Sequence, residues 1–313
     1  MADVDLLVLG DVNPDLVLAD AAMDVAFGQA ETLVQDAELT IGGSGAIMAC
    51  GAARLGLRTT LAGLVGADQF GEFMLRAVSE RGVDVSGVVV DPEVRTGLTV
   101  VLARPDDRAI LTFPGAIAKM TASRVDSALV TGARHVHVAS FFLQTGLVAG
   151  LEDLLRAARD GGATTSLDPN WDPAEEWDGG VRELLSLVDV LLPNEVEACR
   201  IAGVSDVETA AAQLASAGPA VAVKLGAEGA LAAPAGGGEL VRGVAPQRLV
   251  DVVDAVGAGD AFDAGLVCAL LDGRPLDAAL AFACACGTLS MRAGGGTAAQ
   301  ATLAEARAVS RAP

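Results

Sequence analysis

Only two histidines, His135 and His137, occur in this chain of 313 residues, and its five cysteines are scattered or embedded in alanine-rich apolar runs. Zinc sites draw on closely spaced Cys and His sets; the tight pair Cys284-Ala285-Cys286 lacks that spacing, so no zinc centre is expected. An odd cysteine count suits a reducing compartment rather than a disulfide scaffold. Basic residues are scarce too: 21 Lys and Arg stand against 41 Asp and Glu, a net charge of −20. That balance argues against nucleic acid or an anionic membrane surface as partner, and an anionic nucleotide would need local amides, a lysine and Mg2+. There is no apolar run long enough to span a bilayer without a charge or helix breaker, and Met1-Ala2-Asp3-Val4-Asp5 is no basic leader. A soluble, cytoplasmic protein is expected. Linkers, low-complexity tracts and internal repeats are missing as well, so residues 1–313 read as one domain, for which 52% apolar residues are ample core.

What is present alternates. Residues 5–10 form a short apolar run ending at Gly10 and read as a buried strand, residues 45–55 as a tightly packed helix, 59–66 as a strand and 70–81 as an amphipathic helix. Short strands are predicted at 88–90, 97–103 and 108–113. Strands at 135–139, 163–167, 189–191 and 220–224 then alternate with helices at 146–160, 179–187, 195–202 and 206–217. This predicts a mostly parallel, doubly wound α/β sheet with ligands beyond the carboxyl ends of its strands. His135 and His137 share one face of their strand, where packing or hydrogen bonding is the expected role.

The most informative stretch is Asp254-Ala255-Val256-Gly257-Ala258-Gly259-Asp260. Gly257 and Gly259 carry no Cβ, so successive N–H groups between them can converge on an anion, and the run that follows reads as a helix. Asp260 is placed to take the proton of an attacking hydroxyl while amides and the helix end stabilise the transferred group, which suits phosphoryl transfer. The competing reading is a glycine-rich turn with an N-capping Asp. Asn13 and Asp15 directly follow the first strand, either as ligand contacts or as an Asx-Pro turn. Asn194 and Glu197, one helical turn apart, face one point beyond Leu192, or else form a helix cap with a surface Glu.

The 254–260 stretch resembles the second signature of the PfkB or ribokinase-like family of small-molecule kinases, with Ala255 where Thr is usual. Gly42-Gly43-Ser44-Gly45-Ala46-Ile47 through Gly56 resembles the first signature, and the segment from Gly63 to Gly71 follows at the family's distance. Leu192-Pro193-Asn194-Glu195-Val196-Glu197 matches the Asn-x-x-Glu element, and Val223 to Ala230 the nucleotide-side strand and turn. The resemblance implies a ribokinase-like three-layer α/β/α sandwich with a mostly parallel sheet and a small β-sheet lid from roughly residues 12–41 and 92–113. It implies transfer of the γ-phosphoryl group of ATP to a hydroxymethyl group of a sugar or related polyol. Asp260 would be the base, Gly257, Ala258 and Gly259 would shape the turn, and the amides from Ala258 to Asp260 would form an anion hole.

The same resemblance distributes the other roles. Asp15 and Asn13 would hold acceptor hydroxyls, Gly42 and Gly43 would bring amides to them, and Asn170 would face acceptor and phosphate. Ile47 stands where Asn is common, so one polar sugar contact is missing; Phe142 lines the same pocket or belongs to the core, with Gln144 as a nearby donor. Asn194 and Glu197 would order Mg2+ and its water, and Gly226 and Gly229 would permit close backbone approach to the nucleotide. Lys224 either neutralises phosphate charge or projects to solvent. Cys284 replaces a common Asn at the adenine side, leaving recognition to apolar packing and backbone, and Asp254 either adjoins a K+ site or clamps its loop. A homodimer through the lid is permitted. The rivals are a nucleoside kinase of the same family and a catalytically silent sugar or nucleotide sensor, the latter motivated by Ile47 and Cys284. A nicotinamide-dependent oxidoreductase is disfavoured, because Gly43-Ser44-Gly45 lacks the third glycine at the right offset.

Overall fold

Val4–Leu9 (β1) is buried along all but its first residue, as a strand covered on both faces must be. It opens a computed structural model that describes residues 4–19, 28, 31–104, 108–244 and 251–310. The chain continues through β2 (Asn13–Ala19), β3 (Asp36–Gly42), α1 (Ser44–Arg54), β4 (Thr59–Gly66), α2 (Gln69–Glu80) and β5 (Asp84–Asp91). Next come β6 (Leu98–Ala103), β7 (Arg108–Phe113), α3 (Ser127–Gly132), β8 (Ala133–Val138), α4 (Val148–Asp160) and β9 (Thr164–Leu167). α5 (Val181–Leu184), β10 (Val190–Leu191), α6 (Glu195–Ala202), α7 (Val207–Ser216) and β11 (Ala220–Lys224) lead into β12 (Ala230–Ala233) and β13 (Val241–Gly243). Three helices close the fold: α8 (Ala258–Leu271), α9 (Leu276–Ser290) and α10 (Leu303–Ser310).

Nine strands form one sheet in the order β13-β12-β11-β10-β9-β8-β1-β4-β5, parallel from β11 to β5 with an antiparallel edge of β12 and β13. One apolar cluster joins the sheet to α1, α2, α8, α9 and α10, and a second joins the other face to α3 through α7, which makes three layers. A separate sheet, β3-β2-β6-β7, rises from the end of β1 as the lid. Its root is fixed by Asp68, which caps α2 through the Gly71 amide (2.9 Å) and accepts from the Thr96 amide (2.9 Å) and hydroxyl (2.7 Å).

Three expectations change. The predicted piece at 88–90 is the end of β5, which extends the main sheet. β12 and β13 escape a pattern reading because Ala230-Leu231-Ala232-Ala233 has little intrinsic strand preference and is made a strand by its partners. The helix expected over 179–187 is cut to α5 and a 3-10 turn, Leu185–Leu187, since Gly179 and Gly180 take φ of 49° and 85°. His135 and His137 lie buried in β8, both on the Ser166 hydroxyl at 2.7 Å. Burial holds their pKa values at about 3 and about 4, at His137 against the opposing charge of Asp168, so they stay neutral.

Candidate active site

The turn before α8 is built by its glycines. Gly257 caps the helix with φ of 72°, and a Cβ there would press on Gly296 and on Ile47. Gly259 instead leaves its space to the cavity, where a Cβ would meet only Lys224 atoms at ordinary contact distance. The loop is held by Asp254, whose carboxylate accepts from the Val256 amide (3.0 Å) and from the Gly295 amide (2.9 Å). Both oxygens are thus engaged as a clamp between two loops. The Ala258 amide closes a turn on the Ala255 carbonyl at 3.3 Å, while those of Gly259 and Asp260, in the first turn of α8, make no backbone hydrogen bond among the described residues.

Two cavities meet at this turn. One, of about 930 Å³, is walled by Asn194, Glu197, Lys224, Gly226, Gly229, Phe262 and Cys284; the other, of about 870 Å³, lies under the lid against Asn13, Asp15, Ile47 and Phe142. Ser44, Arg108, Asn170, Gly257 and Asp260 line both. Asp260 is therefore at the junction, where a donor phosphate and an acceptor hydroxyl would meet. Burial, then the charge of Asp168, pushes its pKa up to about 8, against the opposing pull of Lys224.

Lys224 neither projects to solvent nor waits for a phosphate alone. Its Nζ lies 2.9 Å from Asp168 Oδ2 and 3.2 Å from Asp263 Oδ2, both aspartates being buried and Lys224 largely so. The carboxylate oxygens of Asp168, Asp260 and Asp263 fall within 4.8 Å of one another, so the ammonium stands where a cation is needed. Burial opposes its charge, but Asp168 and Asp263 outweigh burial and keep Lys224 protonated. Asp168 is likewise held below its ordinary range, burial being overcome by Lys224, whereas burial dominates at Asp263 and holds its proton.

Asn194 and Glu197 form a reciprocal capping box: Asn194 Oδ1 accepts from the Glu197 amide (2.9 Å) and Glu197 Oε2 from the Asn194 amide (2.8 Å). The expected helix cap and the expected cavity lining are thus one structure, and Glu197 is buried rather than on the surface. Burial, then Asp168, raises its pKa to about 7. Both carboxylate oxygens are engaged by Asn194, so an all-oxygen pair like this fits Mg2+ held through water better than by direct ligation. Gly226 and Gly229, with φ of 58° and 94°, turn the chain so that backbone borders the cavity. Cys284 lies in that wall, its thiol pushed up to about 12 by burial.

On the lid side, Asn13 Nδ2 donates to Thr99 Oγ1 (3.2 Å), while its Oδ1 is buried with no hydrogen-bond partner, an acceptor suited to a ligand hydroxyl. Burial, then the charge of Asp11, raises Asp15 to about 7. Gly42 sits behind Asp15, where a Cβ would overlap the carboxylate; Gly43 enters α1 with φ of 77°. Gly42→Ala is expected to displace Asp15 and raise the acceptor KM by about tenfold, read from initial rates. Ile47 lines this cavity and buttresses the turn from behind, against Gly257 and Gly296. Phe142 is both wall and core, packed edge-on to Trp177 at 5.9 Å.

Gln144 is a correction. Its Nε2 is spent on the buried carbonyls of Leu9 (3.2 Å) and Ala139, which lie where the strands end, and Thr145 borders the cavity instead. Sequence reasoning also missed Asp11, whose carboxylate accepts from the Gly45 (2.8 Å) and Ser44 (3.2 Å) amides and so caps α1. Its only signal was its place just beyond β1. Asn170, at φ of 56°, donates to the Ser44 and Ser140 hydroxyls at 3.2 and 3.1 Å, joining the two cavities' walls.

A lidded α/β/α sandwich with a glycine-built anion turn between two cavities defines a ribokinase-fold kinase. The chain belongs to the pfkB family of carbohydrate kinases, whose family model matches residues 4–303. It is 29% identical over 299 residues to a ribokinase of Haemophilus influenzae, covering 91% of this chain and 92% of that protein. An ATP-dependent ribose-1-phosphate kinase of Halopiger xanaduensis is 32% identical, with 92% of each chain covered. Among solved structures, Arabidopsis thaliana ribokinase complexed with ribose and ATP superposes with a TM-score of 0.85 at 24% identity over 100% of both chains. No helix among the described residues is long and apolar enough to cross a membrane.

Proposed function

We propose that this sugar kinase transfers the γ-phosphoryl group of ATP to a hydroxymethyl group of a sugar or related polyol bound under the lid. The observation that carries the reading is the position of Asp260 on the boundary of both cavities. Asp260 takes the hydroxyl proton as the acceptor oxygen bonds to the γ-phosphorus, and the bond from that phosphorus to the oxygen it shares with the β-phosphate breaks to release ADP. The amides of Gly259 and Asp260 hold the charge on the phosphoryl oxygens, and Asn13, with its unpaired Oδ1, and Asp15 orient the acceptor. Mg2+ held near Asn194 and Glu197 would neutralise phosphate charge. The apolar wall near Phe262 and Cys284 would take the base, and a K+ beside the Asp254 clamp would stiffen the turn.

The test is ADP release with ATP and Mg2+ against a panel of sugars, sugar acids, phosphosugars and nucleosides. Stimulation by a sugar is the expected result; tight ligand binding with no turnover on any acceptor would favour a silent sensor. A nucleoside acceptor is the second reading, favoured by the apolar residues Ile47, Ile110, Phe142 and Trp171 in the cavity wall. Replacing K+ by a larger organic cation should slow turnover if the Asp254 clamp adjoins that ion. A homodimer through the lid would cover the exposed Leu111 and Phe113, and sedimentation decides it.

A further inference from the structure

We propose that Trp171 is a specificity-determining residue of the acceptor cavity: its indole stacks on a flat, neutral ring carried by the acceptor's sugar, so that ring-bearing glycosides, nucleosides among them, are taken in preference to the free sugar. This rests on the kinase reading of the two cavities. Asn170 borders both cavities, but Trp171, the next residue, borders the acceptor cavity alone. The sheet order sets it apart from the hydroxyl-binding end. Asp11, Asn13 and Asp15 directly follow β1, whereas Leu143 follows the neighbouring β8, and Trp171 and Pro173 follow β9, one strand further out. Ile110 of β7 and Ile117 beyond it add apolar wall from the lid. The volume of about 870 Å³ lies high in the range of about 300–1,000 Å³ that encloses a drug-sized ligand, and a single sugar ring fills only part of it.

Exposure alone would not single out a tryptophan, since isolated apolar side chains are ordinary on protein surfaces. What distinguishes Trp171 is how firmly it is held. It stays 46% exposed, yet its ring meets that of buried Trp177 edge-to-face at 4.9 Å, and Trp177 meets Phe142 in turn. The backbone is fixed on both sides. The Trp171 amide donates to Asn170 Oδ1 at 2.7 Å, and Asn170 is tied through its Nδ2 to Ser44 and Ser140. Beyond it, Asp172 accepts from the amides of Ala174 (2.9 Å), Glu176 (2.9 Å) and Trp177 (2.7 Å), which folds residues 172–177 about one carboxylate. An aromatic face held in this way loses little freedom when a ligand stacks on it, so more of the contact is retained as affinity. A flat ring without charge suits the surrounding apolar wall, where a phosphate or carboxylate would shed its water without repayment.

Acceptors that share a sugar and differ by a ring test this: ribose against inosine, and glucose against phenyl β-glucoside. In steady state, the parent protein is expected to show a kcat/KM for one ring-bearing acceptor at least about tenfold above that for its free sugar. Trp171→Ala should raise the KM for that acceptor about 30-fold, with kcat and the KM for the free sugar within about twofold, and Trp171→Phe, which keeps a ring, should recover most of the loss. The chain has two tryptophans and no tyrosine, so Trp177→Phe leaves Trp171 as the sole indole reporter. With a nonhydrolysable ATP analogue filling the donor cavity, inosine or phenyl β-glucoside should change its fluorescence saturably, and the free sugar should not. Preference for a free sugar or for ribose 1-phosphate over both ring-bearing acceptors would overturn the proposal, as would equal losses on sugar and glycoside in Trp171→Ala. If the parent protein turned over no acceptor, the kinase reading would fall, while the fluorescence titration would still decide Trp171: no response to either glycoside, or an equal response to the sugars, would overturn its role.

Discussion

Asp260→Asn is expected to lower acceptor-dependent turnover on the order of 10²- to 10⁴-fold while leaving the KM for ATP within about threefold, because it removes a proton acceptor and little else. Asp260 lies where both cavities meet, and of the carboxylates in their walls it alone borders both, with Asp11 and Asp15 confined to the acceptor side and Asp168 and Glu197 to the donor side. The pH dependence follows from its raised pKa of about 8. A base works when deprotonated, so kcat/KM in the free protein should climb about tenfold per unit below that value and level off above it. Stability runs the other way. The folded pKa lies above the unfolded one, so the stability contributed by the protonated form is complete below the ordinary carboxylate range and is lost as pH rises through about 8. Asp260→Asn carries no charge to bury and should melt at a higher temperature than the parent above that pH.

Lys224→Met should give the largest loss of stability, about 3 kcal/mol near neutral pH by urea unfolding, because it leaves the ionised Asp168 buried without its cation. Methionine keeps the length and apolar stem, so cavity formation contributes little. The sign with pH can be checked. Asp168 is lowered in the fold, burial being outweighed by Lys224, so the stability it contributes is present above the ordinary carboxylate range and lost as pH falls. The penalty for Lys224→Met should therefore shrink in acid. An equal loss at all pH values would mean that Lys224 acts through packing alone.

Much of the site was legible because its chemistry is written in local backbone demands. Gly257 needs a positive φ, Asn194 and Glu197 close a capping box three residues apart, and β1 is an unbroken apolar run. Each is a short-range pattern that a chain displays before it folds. Lys224 illustrates what is not local: its partners Asp168 and Asp263 lie 56 and 39 residues away, and nothing in Val223-Lys224-Leu225 says that they will converge. Arg108 was invisible for the same reason, since only the pairing of β7 with β6 brings it over the junction. Gln144 misled because a polar residue next to a predicted cavity looks like a ligand donor, while the carbonyls of Leu9 and Ala139 have the prior claim on its amide. Ile47, read as a missing sugar contact, also has a packing role against Gly257 and Gly296 that no motif carries.

Transfer of radiolabel from ATP labelled in its γ-phosphate, followed with each acceptor that stimulates ADP release, tests the central claim most directly. The expected result is one labelled phosphate on the acceptor for each ADP formed, and near-complete loss of that transfer in Asp260→Asn. Label recovered only as inorganic phosphate with every acceptor, or transfer undiminished in Asp260→Asn, would contradict it.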